Sequence, residues 1–383
     1  MTDISPREQE RRQLLAWLFE QALPLWSTVG VDRARWGFFE KLTPDGIPTE
    51  DPRRARVLGR QIFSFATAAK LGWDGPARDL VRHGLDALEA RYFDANGLVR
   101  SVIDADGKVL VGTFDLYDHA FVLFGLAAAH AAGERPAELA ARARTLLARM
   151  RSEFAHPTAG FEESQPRTLP LKANPHMHIF EASLAWSQTS PDPEWLAQAD
   201  EIAELCLARF LDPATGALRE FYDGDWTALT DHEGSVVEPG HQFEWAWLLI
   251  RWGLLRRRRD AIAAARRLID LAETKGVDTT RGLAINELNA DLTVRDDRAR
   301  LWPQTERIKA FTALAGIAET PQERAFAEAK VAEAARGLMR FFVHPVPGAW
   351  WEHIGADGKP IVEPSRASSL YHIICAIDVM TEG

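Results

Sequence analysis

Three histidines stand in otherwise apolar stretches, each near the start of a predicted helix. They are His178 in NPHMHIFEA, His241 in PGHQFEW and His372 in SSLYHI. The ordinary pKa of an imidazole is near 6.5, so the group accepts and releases protons at neutral pH. One buried histidine is most often a satisfied structural side chain, but burying three without partners would be costly. Together they favour general acid and base catalysis on a bound substrate.

Other polar groups recur at the same places in the predicted helices. Asn174 and His178 are four residues apart and share a helix face, whereas His176, two residues from His178, must point elsewhere. If alternate helices line one ring, all of these polar groups converge at one of its mouths. The polar residues that accompany the histidines in this way are Arg60, Tyr117, Asn174, Glu244, Trp302 and Glu306.

Other chemistries fit this set less well. His176, His178, His241 and Glu244 are potential metal ligands, but the sequence has no HExxH motif and no paired CxxC. A glycoside hydrolase needs two facing carboxylates, which Glu244 and Glu306 could supply. Walker, GxGxxG and GxSxG motifs are missing, so nucleotide, nicotinamide and serine-hydrolase chemistry lack their usual loops. The histidines favour proton abstraction beside a sugar carbonyl, which requires no metal or other cofactor.

The elements that must position these groups are helices joined by links of alternating length. Apolar residues recur at spacings of three and four along about twelve segments. Short turns such as GWDGP and AGERP alternate with long connections that contain strand-like pieces, among them a predicted β-hairpin over 101–111. The even-numbered helices start near residues 53, 115, 174, 239, 302 and 365, a repeat of about 60 residues.

Six helical hairpins of this kind predict an all-α fold, an (α/α)6 barrel with small β-hairpins in its long loops. The even helices are apolar all round and should form the inner ring, while the Arg-rich odd helices should lie outside. An open superhelix of the same hairpins is the competing arrangement. No linker interrupts the pattern, so we expect one catalytic domain over 1–383. The long loops would then lie together at one end, where binding residues are expected.

Composition excludes several classes of partner. Asp and Glu number 55 against 45 Lys and Arg, a formal charge of −10, which disfavours binding to nucleic acid or to anionic membranes. The two cysteines are too few for a disulfide framework, and no apolar segment is long enough to span a bilayer. These features are typical of a cytoplasmic enzyme.

The stretches GRQIFSF, DLYDHAFVLFGLA, NPHMHIFEASLAW, EPGHQFEWAWLL, RLWPQTERIKA and SSLYHI cover nearly the whole chain, and together they resemble the N-acylglucosamine 2-epimerase superfamily. That superfamily includes cellobiose 2-epimerases and bacterial aldose–ketose isomerases acting on mannose or sulfoquinovose. The resemblance implies the same (α/α)6 barrel, a monosaccharide substrate and a cofactor-independent isomerase or epimerase. It also suggests a homodimer.

The resemblance also implies a role for each site residue. His241 and His372 look like the two acid/base residues, and His178 resembles a third histidine that helps to open the sugar ring or hold the carbonyl oxygen. The positions that bind or orient the sugar are matched by Arg60, Tyr117, Asn174, Glu244 and Trp302, with Glu306 in the same motif. Trp350 and Trp351 could add an aromatic wall, although packing is the commoner role of such a pair.

By this resemblance the favoured reaction converts D-mannose to D-fructose through a cis-enediolate. The alternatives are a 2-epimerase acting on N-acylglucosamine or another sugar, an (α/α)6 glycoside hydrolase, and a non-enzymatic toroid that binds other proteins. A pure binding module would have no need of three histidines placed in phase with the repeat.

Overall fold

Helices form two layers in the computed structural model of the chain, which describes residues 5–381. The α-helices of this range are α1 (Pro6–Trp17), α2 (Leu23–Thr28), α3 (Ala55–Lys70), α4 (Ala77–Ala87), α5 (Leu116–Ala131), α6 (Pro136–Phe154), α7 (Ala173–Thr189), α8 (Pro193–Leu205), α9 (Pro239–Arg256), α10 (Arg259–Lys275), α11 (Leu301–Gly316), α12 (Pro321–Met339) and α13 (Ser369–Val379). A π-helical turn, Leu18–Ala22, joins α1 to α2 as one arm.

The alternate helices α3, α5, α7, α9, α11 and α13 form an inner ring. Each packs against the next, and α13 packs against α3, so the ring is closed. The outer layer consists of α4, α6, α8, α10 and α12, which pack on α3, α5, α7, α9 and α11, while α1 packs on α12 and α13. The closure confirms the predicted (α/α)6 barrel and excludes the open superhelix.

The two layers differ in composition as their positions require. Of the sixteen residues of α5, twelve are buried, in keeping with its apolar sequence on all sides. In α10 the buried residues include Ala261, Ala264, Ala265 and Leu268, the spacing of a single apolar face, and the arginines lie on the other face. None of the helices within residues 5–381 combines the length and the apolar composition that a bilayer crossing requires.

Short strands tie together the loops at one end of the barrel. They are β1 (Val31–Asp32), β2 (Gly37–Phe38), β3 (Lys41–Leu42), β4 (Arg53–Arg54), β5 (Val102–Ile103), β6 (Val109–Val111), β7 (Leu171–Lys172), β8 (Phe221–Tyr222), β9 (Val236–Val237), β10 (Val277–Asp278), β11 (Leu283–Asn289), β12 (Val294–Arg300), β13 (His353–Ile354) and β14 (Ser365–Arg366). β5 and β6 form the predicted hairpin.

These strands hold the starts of the inner helices beside one another. β4, β7 and β12 lead directly into α3, α7 and α11. Each pairs antiparallel with a strand of the next long loop, β4 with β5, β7 with β8 and β12 with β13, and β3 pairs with β14 across the junction between the first and last hairpins. Side chains in the first turns of the inner helices are therefore gathered at one end.

Helices α3 and α5 touch backbone to backbone at two glycines. A Cβ atom built on Gly59 would lie 2.2 Å from the carbonyl oxygen of Phe121, and one built on Gly125 would lie 2.6 Å from the carbonyl oxygen of Gly59. Both distances are far inside van der Waals contact, so only glycine permits this approach. Gly59 directly precedes Arg60, and the contact therefore fixes where that side chain enters the barrel.

Candidate active site

A cavity of about 790 Å³, counted to its open mouth, lies at the end of the barrel where the inner helices begin. This size suits a small-molecule site. Eight of the nine residues singled out from the sequence line it, which means that all six inner helices contribute. The lining residues are Arg54, Arg56, Arg60, Tyr117, Asn174, His178, Glu238, His241, Glu244, Arg300, Trp302, Glu352, Arg366, Ser368, Ser369 and His372.

His241, in the first turn of α9, is held by carboxylates. Its Nδ1 donates to Oε2 of Glu220 at 2.9 Å and lies 3.8 Å from Oε1 of Glu238. Burial alone would disfavour the imidazolium, but the negative charges of Glu220 and Glu238 prevail and raise the pKa of His241 to about 10. The side chain is therefore a cation at neutral pH, able to act as a proton donor through Nε2.

His372, in the first turns of α13, has a similar hydrogen bond and a different environment. Its Nδ1 donates to Oε1 of Glu306 at 2.9 Å. Burial lowers the pKa of His372 well below the ordinary value, and the positive charges of Arg60 and Lys309 lower it further. His372 is thus neutral at pH 7, with Nε2 as the nitrogen left to accept a proton.

The ring of Trp302, at the start of α11, stands next to both histidines. Its centroid is 5.0 Å from that of His241 and 5.7 Å from that of His372. A molecule in the cavity that covers the indole would therefore meet an imidazole on either side. The aromatic surface of the cavity is Trp302 and not the Trp350–Trp351 pair: Trp350 is fully buried against Trp26, and Nε1 of Trp351 donates to the carbonyl oxygen of Val343.

His178 completes the set with Arg60 and Tyr117. Nη2 of Arg60 donates to the Tyr117 hydroxyl at 2.7 Å, and the Tyr117 ring lies edge-on to His178 with centroids 5.2 Å apart. Nδ1 of His178 donates to Glu181 at 3.1 Å. Burial lowers the pKa of His178, which makes it a neutral side chain beside a fixed guanidinium. Such a pair can stabilise negative charge that develops on oxygen.

Two further histidines of the inner helices, His176 and His119, lie away from the cavity. His176 points away from His178, as predicted, with Nδ1 at the Lys172 carbonyl and Nε2 accepting from the Phe161 amide. His119 has the same arrangement on α5, with the Asp115 carbonyl and the Val99 amide. Each of these imidazoles ties a long loop to the start of an inner helix.

Glu306 is the predicted site residue that does not line the cavity. It lies behind His372, completely buried, and its other carboxylate oxygen, Oε2, is 2.5 Å from the ammonium of Lys309. Glu306 therefore contacts His372 and not the space a ligand would fill.

Sequence reasoning missed several groups that contact the site. Glu181 and Lys309 stand three residues after His178 and Glu306 on their helices, a spacing that could have pointed to them. Glu220 lies on the loop before β8, and nothing in its local sequence links it to His241. The others missed are Arg54, Arg56, Glu238, Arg300, Glu352, Arg366, Ser368 and Ser369.

Three sets of acidic and imidazole groups among the described residues come close enough to share a cation. Ligand atoms of Glu220, Glu238 and His241 lie within 4.8 Å of one another, as do those of Glu244, Glu306 and His372 and those of His178, Glu181 and Glu244. In the second set the ammonium of Lys309 is 2.5 Å from Glu306 and 3.6 Å from Glu244, and so provides the positive charge there. In the first set the protonated His241 has the same effect. The charge of these carboxylates is thus met by the protein's own cations.

Comparison with known proteins bears on the chemistry of this cavity. The model of the family described as N-acylglucosamine 2-epimerase matches residues 37–376. A mannose-6-phosphate isomerase of Rhizobium meliloti is 44% identical over 370 residues, 95% of each chain, and a D-mannose isomerase of Marinomonas mediterranea is 27% identical over 72% of this chain and 73% of the relative. The structure of cellobiose 2-epimerase from Spirochaeta thermophila shares the fold, with a TM-score of 0.86 at 23% identity over 100% of this chain and 98% of that one.

Proposed function

Because the chain belongs to the N-acylglucosamine 2-epimerase family and is a sugar isomerase or epimerase, we propose that it interconverts D-mannose and D-fructose through a cis-enediolate. The observation that supports this most is the pair of imidazoles of opposite protonation beside Trp302, His241 charged and His372 neutral. An acid and a base of this kind are what the transfer of a proton between neighbouring carbons requires. One domain and no cofactor suffice for it.

In the proposed reaction, the open-chain aldose lies on Trp302 with its carbonyl oxygen towards Arg60 and His178. His372 removes the proton from C2, and the electrons of that bond form the C1–C2 double bond as the carbonyl becomes an enediolate oxygen. Arg60 and His178 stabilise this charge. The hydroxyl proton of O2 passes to O1, and His241 delivers a proton to C1, which leaves the ketose. The histidines then regain their protonation states from solvent.

The remaining cavity residues serve the sugar's hydroxyl groups. Oδ1 of Asn174 is buried without a hydrogen-bond partner among the described residues, so it is free to accept from a substrate hydroxyl. Glu244 on α9 offers an acceptor, and Tyr117 on α5 offers a hydroxyl. In a 2-epimerase the same groups would act, but the proton would return to C2 from the opposite face.

The experiment that tests this proposal is NMR of the purified protein with unphosphorylated hexoses and N-acetylhexosamines in deuterated water. We expect D-fructose to form from D-mannose with deuterium at C1. Deuterium at C2 of an epimeric aldose would show an epimerase instead, and no conversion of any of these sugars would refute a reaction on unphosphorylated sugars.

Mannose 6-phosphate is the second candidate substrate, and the arginines of the cavity favour it. The guanidinium of Arg300 stands 5.5 Å over the Trp302 ring and has no ion-pair partner among residues 5–381. Arg366, Ser368 and Ser369 line the same cavity. The relative that is 44% identical is named for this phosphorylated sugar.

Arg300→Gln separates the two substrates. A charge-assisted hydrogen bond to a phosphate contributes about 1.5–3 kcal/mol, so the KM for mannose 6-phosphate should rise by about ten- to a hundredfold while the KM for D-mannose changes little. Equal kinetics of the variant and the wild type on mannose 6-phosphate would exclude the phosphate contact at Arg300.

A further inference from the structure

Below the cavity lies a buried charge cluster, composed of Glu181, Glu244, Glu306 and Lys309. Their side chains are at most 1% exposed. The ammonium of Lys309, on α11, lies 2.5 Å from Oε2 of Glu306 and 3.6 Å from Oε1 of Glu244, and it stands 4.0 Å over the Trp247 ring. Glu181 accepts hydrogen bonds from Nδ1 of His178 and from the hydroxyl of Tyr371, the latter at 2.6 Å.

Burying this cluster inside the barrel is energetically unfavourable compared with burying apolar side chains. Removing an ammonium and three carboxylates from water carries a desolvation penalty for each ion, and apolar side chains of similar volume often replace such pairs at no loss of stability. A purely packing role therefore leaves the presence of Lys309 unexplained.

The two oxygens of Glu306 connect Lys309 to His372. Oε1 accepts the hydrogen bond from Nδ1 of His372 at 2.9 Å, and Oε2 meets the Lys309 ammonium. Burial and the nearby charge of Glu244 raise the pKa of Glu306 well above its ordinary value, and the contact with Lys309 limits this rise. If Glu306 took up a proton, its hydroxyl could donate to Nδ1 of His372. The imidazole would then have its own proton on Nε2 and could not act as a base towards the cavity.

We propose that Lys309 is a positioning residue of the active site: it keeps Glu306 a carboxylate and thereby holds His372 as the Nδ1–H tautomer, with Nε2 free to accept a proton. The proposal builds on the assignment of His372 as the base in the proposed function. Lys309 itself does not line the cavity, so it acts only through Glu306.

The other charged groups around Glu306 and His372 come from every neighbouring inner helix. They are Arg60 on α3, Glu181 and His178 on α7, Glu244 on α9 and Arg300 at the end of β12, with Tyr371 and Cys375 on α13. The two other carboxylates oppose the ionisation of Glu306. Lys309 is the cation in direct contact with it.

The test is Lys309→Met, with kcat and KM for the sugar measured from pH 5 to pH 9. Without the ammonium, Glu306 becomes protonated at higher pH, so the acidic limb of the kcat/KM profile should move up by about one pH unit or more, which lowers kcat/KM at least about tenfold at pH values below the wild-type limb. KM should change less than about threefold. Lys309→Arg should restore most of kcat, and so should the double variant Lys309→Met, Glu306→Gln, because the carboxamide oxygen still accepts from Nδ1–H.

Arg307→Met is the matched control. Arg307 is also a fully buried cation of α11, but it faces outwards to Glu273 and Glu333 at 2.6 Å. Its loss should lower the melting temperature and leave the pH profile unchanged. A profile of Lys309→Met that keeps the wild-type acidic limb, or one that Arg307→Met reproduces, would overturn the proposal.

A second measurement needs neither a variant nor catalysis. The ¹⁵N NMR shifts of the histidine labelled at position 372 should report the Nδ1–H tautomer in the wild type from pH 6 to pH 9. The Nε2–H tautomer there would refute the role of Lys309 even if the enzyme is active. If the wild type converts no sugar but shows Nδ1–H, the proposed function fails and the action of Lys309 on His372 stands.

Discussion

His241 and His372 flank the same indole ring, and each donates from Nδ1 to a glutamate at 2.9 Å. Their pKa values nevertheless move in opposite directions, because Glu220 and Glu238 add negative charge beside His241, whereas Arg60 and Lys309 add positive charge beside His372. The carboxylate in contact with an imidazole therefore does not decide its protonation state. The sum of charges around the imidazole does, and it suits two identical side chains to the proposed roles of acid and base.

Removing either imidazole should reduce kcat more than any of the other changes predicted below. His372→Ala and His241→Ala should each lose about 10²- to 10⁴-fold in kcat while remaining folded, since acid and base catalysis contributes that much. Conversion of the sugar followed by NMR and folding followed by circular dichroism would measure both.

The two variants should differ in one respect. His372→Ala should stop the exchange of the C2 proton, while His241→Ala should leave some of it, because the base is intact. His130→Ala, a change outside the cavity, is the control and should be fully active. Turnover near the wild-type level in either site variant would contradict its assigned role.

Glu220→Gln should make His241 more like His372. Without this anionic partner the pKa of His241 falls from about 10 towards its ordinary value, so less of the imidazolium remains at a given alkaline pH. The alkaline limb of the kcat/KM profile should move to lower pH by about one to two units, a loss of about two- to tenfold at pH 9 with little change at pH 6. An unmoved alkaline limb would show that His241 is not the acid.

Trp302→Phe should leave the different protonation states of the two histidines unchanged and should reduce activity less than the histidine and Glu220 substitutions. A phenyl ring still separates them but offers a smaller surface to the sugar, so kcat/KM should fall by about two- to tenfold, in line with the energy of aromatic contacts. Steady-state kinetics would check this, and a loss beyond a hundredfold would mean that the indole has a chemical role of its own.

Chelation should have the smallest effect. Both histidines stand in sets of groups that a cation could join, but we predict that neither set needs one. Activity should survive exhaustive dialysis against a chelator. Loss of activity that one divalent metal restores would revive the metal hypothesis, and the apo protein's pH profile would show which histidine the metal contacts.

The arrangement of the barrel could be predicted from the sequence because it follows from repetition. Polar residues in phase with a 60-residue repeat placed Arg60, Asn174 and His372 at one mouth, and the structure brings them to one cavity. The protonation states of His241 and His372 could not be predicted in this way. It depends on Glu220, which comes from a loop, and on Lys309, which looks like an ordinary residue of RLWPQTERIKA until the ring closes. Glu306 was predicted to bind the sugar, and its place behind His372 depends on the same packing.

The paired glycines of α3 and α5 determine how closely these two inner helices approach each other. An added methyl group at Gly59 or Gly125 would force the two helices apart and carry Arg60 away from Tyr117, whose hydroxyl it holds at 2.7 Å. The distance between α3 and α5, and with it the position of Arg60 in the cavity, therefore depends on two residues with no side chains. Substitutions at Gly59 or Gly125 that are made to widen the substrate range should therefore reduce activity more than substitutions at many positions that contact the sugar.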